Sequence, residues 1–137
     1  MTIQADLERC LRSPYLRRDE TKRNDVDREL EGAHELLALA RLSFEEDDEA
    51  TGLKQAWGAM FRAGRALAYA AGYDVDGLRC LEIVLWAHYV GQGLEEADMT
   101  AFRQAQQLVG PPDTAVERAQ NFVQKAVTLL RQVAAAQ

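Results

Sequence analysis

Proline stands at only three of 137 positions, Pro14, Pro111 and Pro112, so nothing between residues 15 and 110 carries a ring that breaks a helix. Along that stretch apolar side chains recur every three or four residues, and the alternation of a half-buried strand is absent. Val26, Leu30, Ala33, Leu37, Ala40 and Phe44 draw one such stripe. The spacing predicts a short helix over residues 3–11, stopped at Ser13-Pro14, and long helices over residues 24–46 and 50–71. In the latter, Leu53, Trp57, Met60, Phe61, Gly64 and Leu67 form a broad apolar face, and Ala59, Ala63, Ala66 and Ala70 add a face of small side chains. A helix with two packable faces belongs in the middle of a bundle.

Gly72 supplies a left-handed stop. Asp74-Val75-Asp76-Gly77 reads as a turn, with Asp74 or Asp76 capping a helix over residues 77–90 that is apolar almost all round. Gly91-Gln92-Gly93 reads as a flexible loop before a polar helix over residues 94–109, with Met99, Phe102 and Ala105 inward. Gly110-Pro111-Pro112 breaks that helix, and Thr114 with Glu117 makes a capping-box pattern for the last one. Its stripe is Val116, Ala119, Val123, Val127, Leu130 and Ala134. The expected fold is all-α: an up-and-down bundle of about five helices plus a short N-terminal helix, in one domain over residues 1–137 with 1–22 as an N-terminal extension.

Hydrophobic residues make up 47% and charged residues 28%, and no apolar stretch reaches the ~20 residues that span a bilayer, so no membrane role is expected. Residues 1–12 lack the apolar run of a signal peptide, and Cys10 and Cys80 lack metal-ligand spacing. Both are expected to be plain thiols of a cytoplasmic protein. A net charge of -6 weighs against non-specific binding to nucleic acid. Arg9, Arg12, Arg17, Arg18, Lys22 and Arg23 cluster, but Asp6, Glu8, Asp19 and Glu20 interleave with them, which describes a solvated mixed-charge segment. Residues 45–49 are five consecutive carboxylates, which oppose a helix C-terminus and predict a loop; the alternating ligands and glycine of a calcium loop are missing.

The run Gln55-Ala56-Trp57-Gly58-Ala59-Met60-Phe61-Arg62-Ala63-Gly64-Arg65-Ala66-Leu67, continued by Tyr69 to Tyr73 and Gly77 to Leu81, resembles the central helix and following turn of HEPN (higher eukaryotes and prokaryotes nucleotide-binding) proteins, the type often encoded beside minimal nucleotidyltransferases. Tyr15 to Glu20, the helix from Val26 to Phe44, and Phe102-Arg103 before the last helix extend the likeness over most of the chain. The resemblance implies a homodimer, a nucleotidyltransferase or toxin–antitoxin partner, and a nucleotide or RNA ligand. Active members resemble one another in an arginine followed after four to six residues by a histidine. Here Arg103 is followed by Gln104-Ala105-Gln106-Gln107-Leu108-Val109, and an amide cannot shuttle a proton as imidazole does. A non-catalytic member is the reading this supports.

The contacts expected for a ligand or partner are Arg62, Arg65 and Tyr69, which share a face by their spacing, with Arg103 and Gln107. Salt-bridged or solvated side chains are the plainer account of the first three. Arg28 and His34 have the literal arginine–histidine spacing but sit on the early helix, roughly 120° apart. Glu31, His34 and Glu35 give half of a helix-bundle metal site with no second half, so no metal and no cofactor is implied. His88 reads as a packed, hydrogen-bonded residue. An atypical metal-independent ribonuclease using Arg103, and a purely structural subunit, are the alternatives.

Overall fold

A computed structural model describes residues 2–136, so Met1 and Gln137, the ends of the expected domain, lie outside the described residues. Six α-helices occur among them: α1 (Ile3–Leu11), α2 (Val26–Glu45), α3 (Glu49–Ala70), α4 (Leu78–His88), α5 (Glu96–Ala105) and α6 (Pro112–Ala136). One apolar cluster draws buried side chains from all six. At its centre lies α3, packed on α2, α4, α5 and α6. Ala56, Ala59, Ala63 and Ala66 are fully enclosed there, the close approach that small side chains permit. At Gly52, a Cβ would strike the Phe44 ring of α2.

Local chemistry sets the ends. Thr2 caps α1 by accepting from the Ala5 N–H at 3.1 Å, and Ser13 closes it by donating to the Cys10 carbonyl at 2.6 Å. Of the acidic run expected to be a loop, only residues 46–48 lie between helices: Glu45 ends α2, Glu49 opens α3 and Asp48 caps α3. Gly72, at φ +88°, turns the chain out of α3, and its carbonyl accepts from the Asp19 N–H at 2.8 Å. A 3-10 segment, Glu20–Asp25, leads into α2, which starts two residues later than the periodicity suggests.

Five expectations need correction. The chain contains strand: β1 (Leu16–Arg18) pairs antiparallel with β2 (Tyr73–Val75), in the register Leu16↔Val75, Arg17↔Asp74 and Arg18↔Tyr73. Three residues are too few to display a period of two. Asp74 is consequently held in the sheet, ion-paired to Arg17, and neither it nor Asp76 caps α4, whose N-cap is Gly77. The Thr114–Glu117 pattern is not the start of α6, because Pro112 opens that helix two residues earlier, where its missing N–H costs nothing. The capping box belongs to α5 instead, between Glu95 and Asp98. Helix α5 is also shorter than expected, ending before Leu108 takes φ +57°.

Cys10 and Cys80 are not free thiols. They form a disulfide between α1 and α4, with the Cα atoms 5.9 Å apart. Both lie on the buried sides of their helices, Cys10 beside Leu7 and Cys80 beside Leu81, so docking α1 on α4 brings the sulfurs together. No helix among the described residues is long and apolar enough to cross a membrane.

Candidate functional site

Arg62, Arg65 and Tyr69 come together along α3, gathered by a residue the sequence did not single out. Glu29 of α2 is only 4% exposed. Its carboxylate accepts from Arg62 Nε at 3.1 Å, and from one terminal nitrogen of Arg65 at 3.0 and 2.9 Å. Arg62 reaches it across Gly32, where a Cβ would fall inside the guanidinium. The Arg65 guanidinium also lies over the rings of Phe61 and Tyr69, 5.0 and 6.0 Å from their centroids, and Lys22 Nζ lies 5.5 Å from the Tyr69 ring centroid. Burial pushes the Tyr69 hydroxyl pKa up. Two guanidinium groups against one carboxylate leave a positive excess, with Arg62 Nε and one Arg65 terminal nitrogen engaged by Glu29 and Arg65 Nε buried without a hydrogen-bond partner among the described residues. Glu29 had a legible signal: it sits three residues after Val26 and four before Ala33, a carboxylate on the apolar stripe that requires a cation.

Arg103 and Gln107 lie elsewhere. They line an open groove of about 270 Å³ with Trp86 of α4 and Met99, Thr100 and Gln104. Arg103 is 69% exposed, and its one ion pair among the described residues is a long contact of 3.4 Å from Nε to Glu82 Oε1. Trp86 is half-buried at the groove wall, and the Thr100 hydroxyl is spent on the Glu96 carbonyl. The groove therefore offers an aromatic surface, a cation free to swing and two amides that donate and accept. No hydrogen bond or ion pair among the described residues joins it to the Glu29 cluster.

A third grouping joins residues that the sequence left separate. The β1–β2 register sets Arg18 against Tyr73, and the end of α4 brings His88 to the same place. Tyr73 Oη is 2.9 Å from His88 Nε2 and 3.4 Å from an Arg18 terminal nitrogen. Burial, and then the Arg18 charge, hold the His88 pKa below its usual value. His88 is hydrogen-bonded as expected, but it is exposed rather than packed. Trp86 and His88, two residues apart, sit on opposite sides of α4, roughly 200° around the helix.

The remaining candidates stay apart. Arg28 pairs with Asp25 at 3.2 Å, while Glu31, His34 and Glu35 are exposed on α2. No group of three or more His, Cys, Asp or Glu among the described residues is placed to hold a metal. In comparisons with known proteins, no family model matches the chain, and no curated protein sequence matches it either.

Proposed function

We propose that this chain is a non-catalytic binding module of the HEPN type, whose working surface is the Arg103 groove and whose ligand is a nucleotide or the nucleotide end of an RNA. One observation carries the reading: Arg103 stands exposed on a long, solvent-screened contact beside Trp86 and Gln107, whereas Arg62 and Arg65 are tied to Glu29. A base stacks on the indole, the guanidinium forks onto a phosphate, and the Gln104 and Gln107 amides read polar edges. A volume of about 270 Å³ suits one base rather than an enclosed whole nucleotide. His88 faces away from Arg103 across α4 and is engaged with Tyr73, so the groove holds a phosphate without an imidazole beside it. The resemblance adds a homodimer and a nucleotidyltransferase or toxin–antitoxin partner to this reading.

Indole fluorescence during titration with ATP and with a diadenosine dinucleotide tests it. Quenching that saturates, and that disappears in Trp86→Phe and in Arg103→Ala, is the expected result. No change up to millimolar ligand, or quenching that persists in both variants, defeats the proposal.

A further inference from the structure

We propose that Arg18 and His88 form a second site, for a tetrahedral dianion of the phosphate type, with Tyr73 as the residue that positions the imidazole. The cations around Arg18 have carboxylates of their own: Arg17 pairs with Asp74, Lys22 with Asp25 and Arg23 with Glu20. Arg18 has no carboxylate partner among the described residues, and its one polar contact is the Tyr73 hydroxyl. An uncompensated guanidinium thus lies beside an imidazole.

Tyr73 is the inner link, 1% exposed, while Arg18 and His88 face solvent. The Arg18 N–H donates to the Tyr73 oxygen, and in the tautomer this site requires the hydroxyl donates in turn to His88 Nε2. The neutral ring then carries its hydrogen on Nδ1, for which no acceptor occurs among the described residues. A guanidinium and an Nδ1–H are two outward donors of the kind that grip an oxyanion.

Binding at this site is coupled to a proton. Without ligand, a protonated His88 repels Arg18; a dianion between them cancels that repulsion and accepts from both. Charged and titratable neighbours leave His88 to this pair. It faces Arg18 from β1, Tyr73 from β2 and, on its own chain, Tyr89, whose ring centroid is 6.4 Å away and which feels Arg23. On the helices packed against α4, Asp6 of α1 pairs with Arg9, and Arg65 of α3 with Glu29. The negative end of α4 favours an imidazolium and disfavours an anion, so neither cation suffices alone.

Sulfate is the probe, because it stays a dianion between pH 5 and 8 and leaves only the protein to titrate. The imidazole signals of His88 and His34 are followed by NMR against pH, in sulfate and in chloride at equal ionic strength. His34, exposed on α2, is the internal reference. Saturating sulfate should raise the His88 midpoint by about one unit, which by linkage is about tenfold tighter binding to the protonated form. His34 should not move. Arg18→Gln should abolish the shift, and Tyr73→Phe should weaken its pH dependence while sulfate still binds. Repeating the titration with inorganic phosphate and with glycerol 3-phosphate separates a free ion from a phosphate ester, and tighter binding of either upholds the site. Equal shifts of His88 and His34, or a shift that survives Arg18→Gln, overturn it.

Discussion

Both oxygens of the Glu29 carboxylate accept from the same terminal nitrogen of Arg65, at 3.0 and 2.9 Å, while Arg62 holds one of them from the other side at 3.1 Å. The contact joins α2 to α3, the helix at the centre of the bundle. Removing the charge from Glu29 leaves two cations facing each other over a buried amide. Glu29→Gln should therefore destabilise the fold by about 2 kcal/mol in chemical denaturation. That is less than the ~3–5 kcal/mol lost when a fully buried pair is broken, since Arg62 and Arg65 remain 31% and 28% exposed. A loss under about 0.5 kcal/mol would show the cluster to be an ordinary surface pair.

Gly32 gives a test with a change of sign. Alanine is the better helix former by about 1 kcal/mol, but its methyl group displaces the Arg62 guanidinium from Glu29. In the intact protein Gly32→Ala should be neutral or destabilising. In an Arg62→Ala background it should stabilise by about 1 kcal/mol. Equal effects in both backgrounds would mean that Arg62 does not need the space.

The Cys10–Cys80 bond closes a loop across 70 positions of sequence. Cys10→Ser should lower stability by about 2–4 kcal/mol relative to the oxidised protein, and by much less relative to the reduced one. Thiol titration of the denatured, unreduced chain should find no free sulfhydryl. Two would contradict the bond.

His88 predicts a pH dependence whose sign is fixed. Its pKa is lowered in the fold, so over the range below about 6.5 the unfolded chain binds more protons. The stabilisation is complete above that value and is lost as pH falls through the folded value. Denaturant midpoints at pH 7.5 and 5.0 should therefore fall further for the parent than for His88→Gln, both in chloride. An identical decline in the two proteins would remove His88 from the account.

The sequence displayed what repeats locally. Ser13-Pro14 stops α1, Gly72 ends α3, and the alanine face of α3 placed it centrally, because each signal lies within a turn or two of the element it sets. What it hid is pairing at long range. Tyr73 meets Arg18 across 55 positions, Cys10 meets Cys80 across 70, and strands of three residues carry no readable period. Arg103 and Gln107, four apart on the sequence, do line one groove, whereas Arg62, Arg65 and Tyr69 belong to a cluster whose anchor, Glu29, stands on a different helix.

A division of labour between the two arginine groups is the central claim, and thermal unfolding with and without saturating ATP measures it in one experiment. At about 100 times the dissociation constant, the ligand should add about 2.7 kcal/mol to the parent protein. Arg65→Ala should lower the unfolding temperature yet keep that increment, whereas Arg103→Ala should keep the temperature and lose the increment. The reverse pattern, with ligand stabilisation lost on removing Arg65 and kept on removing Arg103, would contradict it.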